Sequence, residues 1–280
     1  MALALLLDDD PALAPLALAL ELGRATLPLP ARTVPGLGAA HAREHPEALL
    51  LVPAVEYAEL QETHTILPDL AAVGQHGAAA LLIADRRLDE VEHPIVELGG
   101  VSRMTECLAR ATLLKFYGIT AAAWVRDADP PAPELEEGAT QRLAVADGGE
   151  ALHLLDEPGG RILSDLGRAW FVLTGLPAVT HLLLAPNALN DAAAAELRAF
   201  LEALPAALAA THDRRRELRR ELSARYGVSR ELLNTYYNDQ VTSLTGDAQR
   251  SLLALFAAGA WGMDLPTVTR LKLPPGAPRA

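Results

Sequence analysis

Up to residue 190, short and uniformly apolar runs alternate with stretches whose apolar residues recur at helical spacing. Leu3–Leu7, Ala48–Val52, Ala78–Ala84, Pro94–Leu98, Ala121–Val125, Ala151–Leu155 and Val179–Leu184 read as strands. Runs this short suit strands covered on both faces by helices. Ala12–Gly23 and Thr105–Tyr117 read as helices, the second stopped by Gly118. The alternation predicts βαβ units and a mostly parallel sheet. Beyond Asn190 the pattern is helical to Gly262: an Ala-rich Asp191–Leu208, a highly charged His212–Tyr226 stopped by Gly227, and another helix from Ser229.

The segment from Ser164 to Leu184, SDLGRAWFVLTGLPAVTHLLL, is the most informative. Asp165 is placed to cap a helix by accepting backbone N–H bonds. Gly175 and Pro177 end that helix, and an apolar strand follows. Trp170 shares a helical face with Leu166 and Leu173, which predicts a core position.

Composition narrows the functional classes. Half of the 280 residues are apolar, enough for one or two α/β domains. The net charge is −12, and Lys115 and Lys272 are the only lysines. That argues against a nucleic-acid partner, which needs a basic stripe. Arg214-Arg215-Arg216 with Arg219-Arg220 looks like such a stripe, but Glu217 and Glu221 interleave, as on a solvated helix face. No run reaches the roughly 20 apolar residues of a membrane span. The apolar Ala2–Leu7 lacks a basic flank and gives way to Asp8, Asp9 and Asp10, unlike a signal peptide. A cytoplasmic location is expected. The single cysteine, Cys107, lies on an apolar helix face and reads as packing. There is no zinc-ligand spacing, phosphate loop or dinucleotide fingerprint, so no metal and no cofactor are expected. The segment 127–138, DADPPAPELEEG, reads as a loop.

The order Asp165-Leu166-Gly167, Trp170, Thr174-Gly175-Leu176-Pro177 resembles the menaquinone-biosynthesis proteins of the futalosine route, in particular the chorismate dehydratase branch. The likeness continues in Pro53, Glu56 and Tyr57 of LLLVPAVEYAEL, in Ile66 to Leu88, and in VSRMTECLARATLLKFYG, where Ser102, Arg103 and Leu108 to Arg110 align. Asp156 stands where the family has an Asp after a strand, and SLTGDAQRSLLALFAAGAWGM matches in spacing and in Phe256. The resemblance implies the two-lobed, type II periplasmic-binding-protein fold, with residues 1–88 and 185–280 in one lobe and 89–184 in the other. It departs at two places: Ala12 stands where the family carries Asn, and Ala79 or a neighbouring alanine where it carries Ser.

That family's reaction is the loss of water from chorismate, a dianion, to give 3-enolpyruvylbenzoate, and it uses no metal or redox cofactor. The site must hold two carboxylates and assist departure of a proton and a hydroxyl. Glu56 at a strand end, His76 in the turn GQHG and Asp10 near the first strand are the candidate acid–base groups. Ser102, Thr105 and Arg103 at a helix start, with Asp156, are the candidates for substrate binding. Each has a plainer reading: Ser102 as an N-cap, Glu56 as a first-turn carboxylate, His76 as a surface turn residue, Arg103 as an exposed helix arginine. Two other readings stand beside the lyase. One is the related naphthoate synthase, whose His-Glu pair has no counterpart here. The other is a non-catalytic binder of small dicarboxylates, with a homodimer open as the assembly.

Overall fold

A computed structural model describes residues 3–126, 141–260 and 262–277. The expected loop 127–138 lies outside these residues. In chain order the elements are β1 (Leu5–Asp8), α1 (Ala14–Glu21), β2 (Ala31–Val34), α2 (Ala39–Glu44), β3 (Leu49–Pro53), α3 (Tyr57–Leu60) and β4 (His64–Gly74). Then follow β5 (Leu81–Ala84), β6 (Ile95–Glu97), α4 (Arg103–Tyr117), β7 (Ala123–Val125), β8 (Arg142–Ala146), α5 (Gly148–Asp156), β9 (Ile162–Asp165) and α6 (Leu166–Thr174). The chain closes with β10 (Ala178–Pro186), α7 (Asp191–Asp213), α8 (Arg215–Tyr226), α9 (Arg230–Asn238), β11 (Gln240–Val241) and α10 (Gly246–Gly259).

The strands form two sheets, one ordered β11-β4-β10-β3-β1-β2 and the other β7-β6-β8-β5-β9. In the first, β2 and β3 run parallel to β1, while β10 is antiparallel to β3 and β4. Leu5–Leu7 and Leu49–Val52 are almost fully buried, which explains their lack of polar alternation. The protein is therefore a two-sheet α/β molecule with a helical C-terminal region, but both sheets are mixed rather than mostly parallel as the hydrophobic pattern predicts, since β10, β11 and β5 pair only with antiparallel neighbours.

Three further expectations need correction. β5 pairs with β8 and β9, so residues 81–84 belong to the second sheet, not the first. The chain crosses between Gly74 and Leu81 and returns between Thr174 and Ala178, some way before the expected points at 89 and 184. Residues 151–155 are helical, inside α5: the strand lies just upstream at Arg142–Ala146, and Ala151, Leu152 and Leu154 are the buried face of a helix that starts after Asp147. The run is too short for apolarity alone to separate strand from helix.

The Ser164–Leu184 segment behaves as read. Asp165 caps α6 by accepting the Arg168 N–H at 2.9 Å, and Gly175 ends it in the left-handed conformation at φ 71°. Trp170 is buried, and its Nε1–H donates to Ser251 Oγ at 2.8 Å, tying α6 to α10. α10 also crosses α4 closely. A Cβ on Gly259 would lie 2.2 Å from the Cys107 carbonyl, so only glycine permits that approach. Cys107 is fully buried there, and burial pushes its thiol up to about 12, fitting a packing role. One apolar cluster thus runs from Leu50 and Tyr57 of the first sheet's layer to Leu108 and Leu143 of the second.

Candidate active site

The sheets bring their strand ends together where β1 and β8 stop. Asp8 is the last residue of β1 and is buried. Its Oδ1 accepts the N–H of Leu37 and of Asp9, each at 3.0 Å. His181 lies in the middle of β10, opposite Pro53 of β3. Its ring is buried, with Nε2 3.3 Å from Asp8 Oδ2 and Nδ1 3.1 Å from Thr180 Oγ1. Asp10 follows β1 and accepts the Ala12 N–H at 2.8 Å.

The second sheet contributes Asp147, at the end of β8 and the start of α5. Its Oδ2 accepts the Ser102 N–H at 2.8 Å and the Thr105 hydroxyl at 2.7 Å. Ser102 in turn caps α4, accepting the Thr105 N–H at 3.2 Å. The two halves are close: a Cβ on Gly148 would lie 3.9 Å from the Pro11 ring. From α9, the Tyr237 hydroxyl donates to the Pro11 carbonyl at 3.0 Å.

The electrostatics follow from this crowding. Burial raises the Asp10 carboxyl above its ordinary 3.8; His181 and the Ala12 N–H oppose that, while Asp8 and Asp147 push it further up. Burial alone would pull His181 down, but the carboxylates of Asp10, Asp8 and Asp147 outweigh it and hold the imidazole above its ordinary 6.5. Burial and the Asp10 charge together raise the phenols of Tyr226 and Tyr236. Asp8, His181, Asp10 and Asp147 thus form one cluster, in which His181 and Asp10 hold protons more tightly than usual. Groups perturbed in this way are functional-site candidates.

Tyr236 also lines a cavity of about 670 Å³ whose walls include His76, Asp165, Arg168 and Asp239. That volume lies in the roughly 300–1,000 Å³ range of small-molecule pockets. Asp165 is fully engaged by the N–H groups of Ala78, Ala79 and Arg168. Arg168 is exposed and forms no ion pair among the described residues.

The residues expected from sequence fall into three groups. Asp10, Ser102 and Thr105 converge at the cluster. Glu56 and Arg103 sit together on its flank: Glu56 is buried and accepts the Ala39 N–H at 2.9 Å, while Arg103 Nη1 is 3.6 Å from Glu56 and 2.6 Å from Glu59. The Arg103 cation is therefore already met by two protein carboxylates. His76 stands at the cavity rim, its Nδ1 2.7 Å from Asp239 Oδ1 and its ring edge-on to Phe171. Asp156 does not follow a strand. It ends α5 and accepts the Ser229 N–H at 2.8 Å and the Ser229 hydroxyl, so it anchors α9. The carboxylate that does follow a strand is Asp147, nine residues upstream, which the misassigned strand hid.

His181, Asp147 and Arg168 were missed. The available signals were a histidine interrupting the apolar run VTHLLL and an Asp-Gly-Gly directly after RLAVA. Ala79, where the family carries Ser, lines the cavity in a left-handed conformation at φ 47°.

A search of curated protein sequences finds no significant match. Solved structures similar to this one include a protein from Archaeoglobus fulgidus, 18% identical, with a TM-score of 0.65 over 92% of this chain and 96% of that one. A Candida albicans gene product with the generic periplasmic-binding-protein fold is 14% identical, with a TM-score of 0.60 over 93% and 90%. The alkanesulfonate-binding protein SsuA of Xanthomonas axonopodis pv. citri, bound to MOPS, is 14% identical, with a TM-score of 0.62 over 100% and 99%. These likenesses give the fold, that of periplasmic binding proteins. The family model for menaquinone biosynthesis matches residues 34–260. The chain therefore belongs to the menaquinone-biosynthesis family, built on the periplasmic-binding-protein fold.

Proposed function

We propose that this protein is a carbon–oxygen lyase that dehydrates chorismate to 3-enolpyruvylbenzoate in the futalosine route. One observation carries the reading: a half-buried carboxyl with raised proton affinity, Asp10, just past the end of β1, whose charge acts on a buried histidine with raised proton affinity, His181. Family membership supplies the pathway, and this pair supplies acid–base chemistry of the kind an elimination needs.

In the proposed step Asp10, protonated, donates to the departing ring hydroxyl, which leaves as water. The neighbouring ring carbon gives up its proton to Asp147 Oδ1, the oxygen left free by the bonds from Ser102 and Thr105 to Oδ2. The electron pair of the broken C–H bond completes the aromatic ring. Protonated His181 offsets the charge of Asp8 and Asp147 throughout. A dianion also needs a cation. Arg168, unpaired at the cavity rim, is suited to a substrate carboxylate, whereas Arg103 is held by Glu56 and Glu59. The test is incubation of purified protein with chorismate and chromatography for 3-enolpyruvylbenzoate. Product formation that is unaffected by a chelator is expected.

A non-catalytic binder of small dicarboxylates is the second reading. The alanines at 12 and 79 favour it, because each replaces a polar group of the family. Chorismate binding by calorimetry, with no product after long incubation, selects it.

A further inference from the structure

We infer that the groove between α1, the middle of β4 and α8 is a second binding site, for a small organic anion with an apolar body and a carboxylate head. The groove encloses about 220 Å³ and is walled by Leu13, Leu16, Leu70, Leu208, Leu218 and Val241. Its mouth carries Arg215 and Arg219, which also line the adjoining recess between α8 and α9.

The arginines are placed as an anion seat. Arg219 is half-buried and donates to Asn234 Oδ1 at 2.8 Å and Asn238 Oδ1 at 2.9 Å, with its guanidinium 5.9 Å over the Tyr237 ring. These neutral partners fix the group and leave its charge uncancelled. Arg215, one turn earlier on the same face, donates to the His212 carbonyl at 3.2 Å. Three neighbouring arginines are neutralised: Arg214 by Glu217, Arg220 by Glu221 and Arg225 by Glu21. Among the described residues no carboxylate forms an ion pair with Arg215, Arg216, Arg219 or Arg230. In a chain of net charge −12, with acidic residues outnumbering basic ones, unpaired arginines converging on one groove are a specific arrangement.

A second feature adjoins it. Gln240 is among the residues that line the groove, and its Oε1 is buried without a hydrogen-bond partner, although buried amide groups are normally satisfied. Burial and the facing Arg215 both disfavour the Arg219 charge, and a bound anion would relieve the repulsion. The sequence pattern gives this helix the look of a solvated face. The fold instead turns Leu218 and two of its arginines onto one recess.

Octanoate is the probe. Isothermal calorimetry with the full chain should show saturable octanoate binding, with acetate and 1-octanol each at least about tenfold weaker, since each lacks half of the recognition. Arg215→Gln with Arg219→Gln should weaken octanoate about tenfold or more without lowering the melting temperature. Thr211→Trp, which fills the groove from α7, should abolish binding. Octanoate binding unchanged in either variant, acetate as tight as octanoate, or no saturable octanoate signal would overturn the assignment. None of these outcomes depends on chorismate turnover.

Discussion

Two histidine–aspartate pairs differ in setting, one buried between the strands of the first sheet and one lining the cavity. The cavity pair at the rim, His76 with Asp239, has the shorter contact at 2.7 Å, against 3.3 Å for the buried His181 with Asp8. Burial is reversed: the His76 side chain is 59% exposed and that of His181 only 4%. A short contact in water contributes little, because solvent screens it and competes for it. A longer contact in the interior, with two further carboxylates nearby, raises the proton affinity of His181, and burial raises that of Asp10. The environment, more than the distance, separates a structural tether from a group able to move protons.

The largest effect separating the pairs is expected on stability. His181→Gln leaves Asp8, Asp10 and Asp147 without their cation and should cost about 3–5 kcal/mol in denaturant unfolding below pH 6.5, the ordinary imidazole value. The pH dependence has a definite sign. His181 binds its proton more tightly folded than unfolded, so its contribution is complete below 6.5 and is lost as pH rises through the higher folded value. Asp10, also raised when folded, acts in the same direction. The gap between wild type and His181→Gln should therefore narrow as pH rises above 6.5. A gap that widens with pH would mean that the imidazole is neutral in the fold.

A smaller effect is expected at the joint between the buried cluster and the second sheet. Ser102→Ala removes the α4 cap while leaving the backbone N–H that bonds Asp147. Thermal unfolding should show a loss of about 1 kcal/mol. The smallest effect belongs to the rim. His76→Gln should change stability by roughly 0.2–1 kcal/mol, and added salt should shrink it further. A loss as large as that of His181→Gln would erase the distinction between the pairs.

The sequence made the architecture readable where apolar runs were long and capped. The run Val179–Leu184, the Asp165 cap, Gly175 and the buried Trp170 all depend on local chemistry that a sequence carries in full. The misread strand at 151–155 shows the limit: five residues of Ala, Leu and His satisfy either period, and the choice fell to the preceding Asp147-Gly148-Gly149, which starts a helix. That single error displaced the strand-end carboxylate from Asp147 to Asp156. The buried histidine was illegible for another reason. His181 sits in a buried β-strand, and only the pairing of β10 between β3 and β4 brings it to Asp8, 173 residues away. Ser102, Thr105 and Asp10 were found because a helix start and a first-strand end face a cleft in any fold of this type.

On the proposed function, chemistry resides in the buried cluster and passes through Asp10. The measurement that tests it most directly is the rate of 3-enolpyruvylbenzoate formation from chorismate by wild type, Asp10→Asn and His76→Gln proteins under identical conditions. Asp10→Asn should be slower by about 10²–10⁴, the range supplied by a positioned proton donor, and His76→Gln should stay close to wild type. Equal rates in wild type and Asp10→Asn, or a loss confined to His76→Gln, would contradict the account.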